Sequence, residues 1–539
     1  MPKVVHKTLS FPLAGVSRRS TYRKQERPYA APWAMNVRGM GPLERRGRGG
    51  SRPGLSKVND TAFGTTITAI APVTSISSAE VRTCDLVVIV DGLLKYLRGS
   101  TITTVTTDLQ DDNGVSIFTD DGDTILFGST VSTVGPVGDG TFDIVERNGR
   151  LLIADTTLRE YNPQTGALET VVATEGVIPT ACPLVSLYRD RVFLSGVNHV
   201  WYASRQSDQT DWDFGADHGD SGRAVAGEVS QAGRIGDVIT AMIPNGDSIL
   251  TIATQNGIWV LRGDPSDGTL SQLSSEIGIL APGAWAMSPE GLIVFLSNDG
   301  VYVMSPGERP QRWSAERIPE ELRNVSVSAN TVSMAYDAHS KGFHLFVTPD
   351  NDDDDAAVSG THWWLDVTNK AFWPVVVPAA MQPLTVTRLQ GTSGLAEVAL
   401  GCKDGYVRKF SYDATADDST DIESHVLLGP FRLAADDMLD AALVEIHGIM
   451  ADSGGTVTWH TVMADSAETA ADNAVSCVND DLSGSTSSLF SASGDWSEDR
   501  NKVARPRTRG AWCVVWLSSA AAWAYEAVAV RINQLGRIR

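Results

Sequence analysis

Long hydrophobic runs are missing from this 539-residue chain. None approaches the ~20 consecutive apolar residues of a membrane span, and the opening MPKVVHKTLSFPLAG has no apolar core of secretory length, so neither membrane insertion nor Sec export is expected. Cysteine is scarce. Cys84, Cys182, Cys402, Cys477 and Cys513 are odd in number, widely scattered and never in a C-x-x-C pattern. That excludes a disulfide frame or a cysteine zinc site and points to buried thiols in a protein assembled in a reducing cytoplasm. Helical periodicity is confined to residues 319–325 and an Ala-rich stretch at 464–474, which excludes an all-helical or α/β fold.

Catalytic signatures are also missing. The chain has no G-x-S-x-G elbow, no phosphate-binding Walker loop, no G-x-G-x-x-G after a strand, no H-E-x-x-H and no repeated Ser-x-Asp-x-Gly-x-Thr-Trp box. His199, His344 and His362 stand singly in or beside apolar strands and are read as structural. Two acidic stretches, 108–123 and 350–355, lack the alternating ligand spacing of a calcium loop and are read as solvated insertions. No catalytic residue, cofactor or metal ligand is assigned, and the chain is read as non-enzymatic.

What the sequence does contain is a repeated strand pair. Asp91-Gly92, Asn256-Gly257, Asp299-Gly300 and Asp404-Gly405 each precede an alternating apolar strand and follow an apolar one. Asp-Gly and Asn-Gly favour the positive φ angles of tight hairpin turns. Degenerate copies at 157–161, 199–202 and 363–365 bring the count to seven between residues 60 and 420. One such sheet cannot bury both its faces, but several packed around an axis can. The expected fold is therefore all-β: a β-propeller of about seven blades (six to eight fit the count), with a pair of β-sandwiches as the structural alternative. After residue 420 the repeat gives way to longer alternating runs, read as a C-terminal β-sandwich-like domain over 421–539, with residues 479–496 as a long exposed loop.

Charge divides the chain as well. The net charge is −21, yet residues 1–60 alone carry +10. This first segment is read as an extended basic arm that pairs with an acidic neighbour or touches DNA, through Arg18, Arg19, Arg23, Lys24, Arg45, Arg46, Arg48 and Arg52. The expected division is thus an arm at 1–60, a propeller at 61–420 and a sandwich at 421–539.

An ordered series of short motifs spans nearly the whole chain. It begins with Phe11-Pro-Leu-Ala-Gly-Val-Ser17, Tyr29-Ala-Ala-Pro-Trp-Ala-Met-Asn36-Val-Arg and Arg45-Arg-Gly-Arg-Gly-Gly-Ser-Arg52-Pro-Gly54. Tyr188-Arg-Asp-Arg-Val-Phe-Leu194, Trp201-Tyr-Ala-Ser-Arg205, Asp211-Trp-Asp-Phe214 and Ile239-Thr-Ala-Met-Ile-Pro244 follow. Gly263-Asp-Pro265, Ile277-Gly278 before Gly283, and Gly536-Arg-Ile-Arg539 complete it. This series resembles the nozzle or tail-tube propeller proteins of short-tailed bacteriophages. The usual Ser-Arg-x-x-Asp-Pro of that family reads Ser204-Arg-Gln-Ser-Asp-Gln-Thr here.

The resemblance implies a virion protein that forms a hexameric ring below the portal and adaptor and lines the channel through which DNA leaves. Its partners would be copies of itself, the portal adaptor and other tail proteins, with DNA in transient, non-specific passage. An acidic body that repels phosphate suits such a conduit. Two other functions fit a propeller of this composition: a host-surface glycan-binding or glycan-cleaving protein, and a peripheral tail scaffold or fibre adaptor.

Overall fold

The computed structural model describes residues 4–18, 30–39, 49–76, 82–102, 124–137, 141–215, 219–227, 235–318, 320–350, 360–390, 395–434, 440–451, 454–497 and 501–534. Seven four-stranded antiparallel sheets succeed one another along the chain. The first contains Ile67–Ile76, Arg82–Val90, Leu93–Ile102 and Thr124–Pro136. The next five begin at Asp143–Arg147, Leu184–Tyr188, Ile239–Asn245, Trp285–Met287 and Asn330–Asp337. The first strands of blades 1 to 4, and those of blades 5 to 7, lie against one another in turn, blades 4 and 5 share one apolar core, and Pro383–Gln390 of the seventh blade meets Ile67–Ile76 of the first, closing the circle. The chain is a seven-bladed β-propeller.

The repeated hairpins are the central strands of the blades, as their turn chemistry requires. At Asp91-Gly92 both residues have positive φ, 54° and 66°, the geometry of a two-residue hairpin turn. Asn256-Gly257 differs: neither residue is left-handed, and the Thr254 hydroxyl accepts from the backbone N–H groups of Asn256 (3.3 Å) and Gly257 (3.0 Å) instead.

Strand alternation explains why blades must stack. In Arg82–Val90, Leu86, Val88 and Val90 pack towards blade 7, against Leu389, Ala399 and Val407, while Val87 and Ile89 pack towards blade 2, against Leu151, Ile153 and Tyr161. Both faces are apolar, so a blade is buried only between two neighbours.

Blade 7 has three strands from residues 383–411, and its fourth is Gly54–Lys57, paired antiparallel with Val407–Ser411. The propeller thus begins at residue 54 rather than 61. The rest of the first segment also differs from an extended arm wherever it is described. Val4–Ser10 pairs with Ala524–Gln534, Ala34–Met35 with Ser424–Arg432, and Gly49–Ser51 with the start of Ala524–Gln534. The reason is physical: these short apolar pieces fill sheet positions in the C-terminal domain that would otherwise be bare.

That domain has three layers. An outer sheet holds Val4–Ser10, Val37–Arg38, Gly49–Ser51, Ala441–Met450, Asn501–Ala504, Thr508–Gly510 and Ala524–Gln534. A middle sheet holds Ala34–Met35, Ser424–Arg432, Val457–Ala464, Ala492–Trp496 and Trp512–Ser519. The single α-helix among the described residues, α1 (Ala467–Leu482), covers the far side of the middle sheet. Cys513, Val515 and Leu517 face the outer sheet, whereas Val514 and Trp516 face α1.

The helix starts where Ser466 accepts from the Thr469 N–H at 3.0 Å, an N-cap. It runs eight residues beyond the expected Ala-rich stretch, because Ala474, Cys477 and Val478 continue its buried stripe. Residues 479–496 are therefore the helix end, a connection and the strand Ala492–Trp496 rather than one exposed loop. Residues 320–325 are turns, not a helix.

Candidate functional site

A dense buried polar network lies where the N-terminal segment joins blades 6 and 7 to the sandwich. Asn36 sits there in the left-handed region, φ 55°, which a short amide side chain tolerates. Its Oδ1 accepts from Arg52 Nε at 3.0 Å and from the Val376 N–H at 2.7 Å, and its Nδ2 donates to the Glu423 carbonyl at 2.8 Å. Arg52 in turn forks onto Asp417, Nη1 to Oδ1 at 2.9 Å and Nη2 to Oδ2 at 2.5 Å. Its Nη2 also donates to the Val376 carbonyl. Asp417 Oδ1 accepts from the Leu55 N–H as well, which fixes the strand that closes blade 7. One Asn–Arg–Asp chain thereby holds blade 6, blade 7 and the first strand of the sandwich.

Glycine is required at two points of this joint. A Cβ on Gly54 would lie 2.0 Å from the Ala416 carbonyl oxygen. Gly15, at φ 71°, would place one 2.6 Å from that of Phe372. Around them Phe11 packs between Trp373 of blade 6 and Tyr525 of the sandwich, each ring centroid 5.3 Å away.

Of the residues expected to meet a partner, Arg52 is corrected. It is 2% exposed and fully engaged within the chain, since the bidentate pair with Asp417 compensates its desolvation. Arg18 is exposed and pairs with Glu321 near blade 5 at 2.9 Å. Arg19, Arg23, Lys24, Arg45, Arg46 and Arg48 lie outside the described residues, as do the acidic stretch 108–123, residues 351–355 and the closing motif 536–539.

Other motifs of the series prove to be inter-blade ties. Tyr188 donates its hydroxyl to the Gly263 carbonyl at 2.9 Å, and Arg191 Nη2 reaches Asp264 Oδ1 at 3.1 Å, linking blades 3 and 4. Arg191 is fully buried and also donates to the carbonyls of Ser204, Ser221, Gly222 and Arg223. In the divergent 204–210 stretch, Asp208 Oδ1 accepts from the Thr210 N–H (2.8 Å) and hydroxyl (2.7 Å), making the turn without a proline. The Thr210 hydroxyl holds the Asp208 carboxyl below its ordinary range.

His344 and His362 are buried in blade 6 at 1% and 2% exposure. Burial lowers both imidazoles, His362 to about 3, so they are neutral at pH 7. His344 stacks on Phe410 of blade 7 (centroids 4.2 Å apart), and its Nε2 lies 3.7 Å from Asp337 Oδ2. Cys182, Cys402, Cys477 and Cys513 are buried free thiols.

One grouping has the composition of a metal site: Glu423, His425 and Asp481 bring their ligand atoms within 4.8 Å of one another. The tautomer of His425 argues against that use. Its Nδ1 accepts from Trp516 Nε1–H at 3.2 Å, so the ring proton sits on Nε2, which donates to Glu423 Oε1 at 3.1 Å. The nitrogen facing the carboxylates carries a hydrogen rather than a free lone pair. The bond pulls the Glu423 carboxyl below its ordinary range. No signal in the sequence disclosed this trio or the Asn36–Arg52–Asp417 chain, although Asn36 and Arg52 each sit in a motif.

No protein-family model matches the chain, and no curated protein matches it. Solved structures do. The WD40 β-propeller domain of Doa1 is 11% identical, with 66% of this chain and 97% of that domain aligned and a TM-score of 0.38. YCF48 bound to D1 peptide is 11% identical over 69% of this chain and 97% of that one, TM-score 0.39. An extracellular domain assigned to a one-component system of B. thetaiotaomicron is 14% identical over 68% of this chain, TM-score 0.38, and the match spans 41% of that domain. These likenesses concern the fold alone, and the propeller assignment rests on the seven closed sheets themselves.

Proposed function

We propose that the chain is a structural subunit of a bacteriophage tail, a nozzle or tail-tube ring below the portal and adaptor through which DNA is ejected. The observation that carries this reading is the Asn36–Arg52–Asp417 chain. Two motifs of the phage-like series, separate in sequence, meet in one buried tie that fuses propeller and sandwich into a block. A conduit needs such rigidity and an acidic surface that does not retain DNA, and the net charge of −21 supplies the latter. In this role the chain performs no catalysis, holds no cofactor, assembles in the host cytoplasm as a ring, taken as a hexamer, and ends in the virion tail.

Immunogold labelling and low-resolution microscopy of particles test the assignment. Label at the tail, below the head vertex, is the expected result. Particles without the protein, or label only on peripheral fibres, would sink it.

A further inference from the structure

The sandwich sorts its charge by layer. Residues 465–499, which include α1, contain eight carboxylates and no lysine or arginine, whereas residues 500–539 contain eight lysines and arginines and one carboxylate. Within them, α1 covers the face of the middle sheet away from the outer sheet, whereas Asn501–Ala504, Thr508–Gly510 and Ala524–Gln534 belong to the outer sheet. On α1, Glu468 and Asp472 point to solvent while the alanines face the middle sheet, and Asp481 lies beside His425 of that sheet and Glu423 just before it.

On the far side, register builds the outer face of the outer sheet row by row. His6 lies opposite Arg531, and Arg531 opposite Glu445; Arg505 Nε bonds Glu445 Oε1 at 3.1 Å. The next row is Val4, Asn533, Ala442 and Arg509, and the one on the other flank is Thr8, Ala529, His447 and Val503. A register shift between Leu443 and Glu445 turns this carboxylate outward, and Glu526 of Ala524–Gln534 is exposed as well. Arg505, His447 and Arg531 surround Glu445 and remain 66%, 45% and 41% exposed, so the face stays cationic. Among its other side chains Val4, Thr8, Ala442, Val503 and Ala529 are small.

The middle sheet is covered on both faces. Among the described residues nothing covers the outer face of the outer sheet. A helix laid on it would complete the layering.

The end of α1 supplies an independent hint. Asp480 and Asp481 sit in its last turn, where the helix dipole opposes negative charge, and no basic residue balances them. Leu482 and Leu489 beside them are 40% and 43% exposed, matched on the sheet face by Val4 at 42% and Val503 at 50%.

We propose that this basic sheet face receives the acidic, solvent-facing side of α1 from a second copy of the chain. Because the two surfaces lie on opposite sides of one sandwich, the contact is head-to-tail, the kind that generates rings. The inference rests on the self-associating ring proposed above and names its interface.

The test measures self-association of the full chain at low and high salt. Two variants should each weaken it at least tenfold: Arg505→Glu with Arg509→Glu, and Glu468→Lys with Asp472→Lys. Both lysine positions are exposed, so thermal unfolding should stay close to the wild-type temperature, lowered only by the loss of Glu468 from the first turn. Combining all four changes should restore association, and Arg505→Gln with Arg509→Gln should fall between.

Wild-type protein that stays monomeric, variants that associate normally, or a combination that fails to restore association would each overturn the interface. Loss of duplex-DNA binding in the arginine variants with self-association intact would reassign the face to nucleic acid. A charge swap that holds while particles carry no tail label would refute the tail assignment alone, and the reverse pattern would refute the interface alone.

Discussion

The core of blade 1 and the joint beneath blades 6 and 7 are both buried, yet they are held in different ways. Blade 1 is stitched by ladder bonds between neighbouring strands and by apolar side chains that slot between blades. Its ties are many in number, and its ladder bonds join strands close in sequence, so no single one dominates. The joint depends on a few polar groups brought from far apart, with Arg52 and Asp417 separated by 365 residues. Redundant apolar contacts tolerate damage in small steps, but a buried ion pair fails abruptly when one partner goes, because the other charge is left desolvated.

The largest expected effect tests that contrast directly. Arg52→Ala should cost about 3–5 kcal/mol, read by chemical denaturation, because Asp417 would be left buried and unpaired. Ile89→Val in blade 1 should cost only about 0.5–1.5 kcal/mol. Equal losses at the two sites would break the comparison.

Acid should attack the joint next. In the unfolded chain His362 titrates near its ordinary value of 6.5, whereas in the fold burial holds it at about 3. Between those values the unfolded state binds more protons, so stability is full above pH 6.5 and falls as pH drops, by about 1.4 kcal/mol per pH unit for each such histidine. His344, lowered by the same cause, adds to the slope. Hydrogen exchange at pH 4.5 should therefore open blades 6 and 7 before blade 1, and His362→Leu should flatten the pH dependence. Uniform opening of all blades would contradict this.

An effect as small as that of Ile89→Val belongs to α1, which stands outside both blade 1 and the joint. Ser466→Ala removes the N-cap of α1 and should cost about 1 kcal/mol, seen as faster exchange in the helix and the strands it covers, with the propeller unchanged.

How much was legible beforehand follows the same division. The blade hairpins could be read because Asp91-Gly92 and its relatives carry their turn geometry locally, and because alternation in strands such as Arg82–Val90 shows on its face that both sides need partners. The first 60 residues could not be read so well. Their basic composition suggested an extended arm, but Val5 and Leu9 pack against, and Leu55 lies within, the core shared by blades 6 and 7 and the sandwich, contacts that charge counting does not register. Arg52 was misplaced for the same reason: an arginine is ordinarily a surface residue, and its partner is encoded hundreds of positions away.

The sequence by itself determined the all-β class, the seven-fold repeat and the strands that form it, because turn chemistry and period-two alternation act between residues a few positions apart. Only the tertiary structure decided that Gly54–Lys57 closes the seventh blade, that Asn36, Arg52 and Asp417 form one buried tie, and that the acidic helix and basic sheet face opposite ways. Those outcomes depend on which distant segments share a sheet or a desolvated pocket, and burial there is set by the assembled neighbours rather than by local composition.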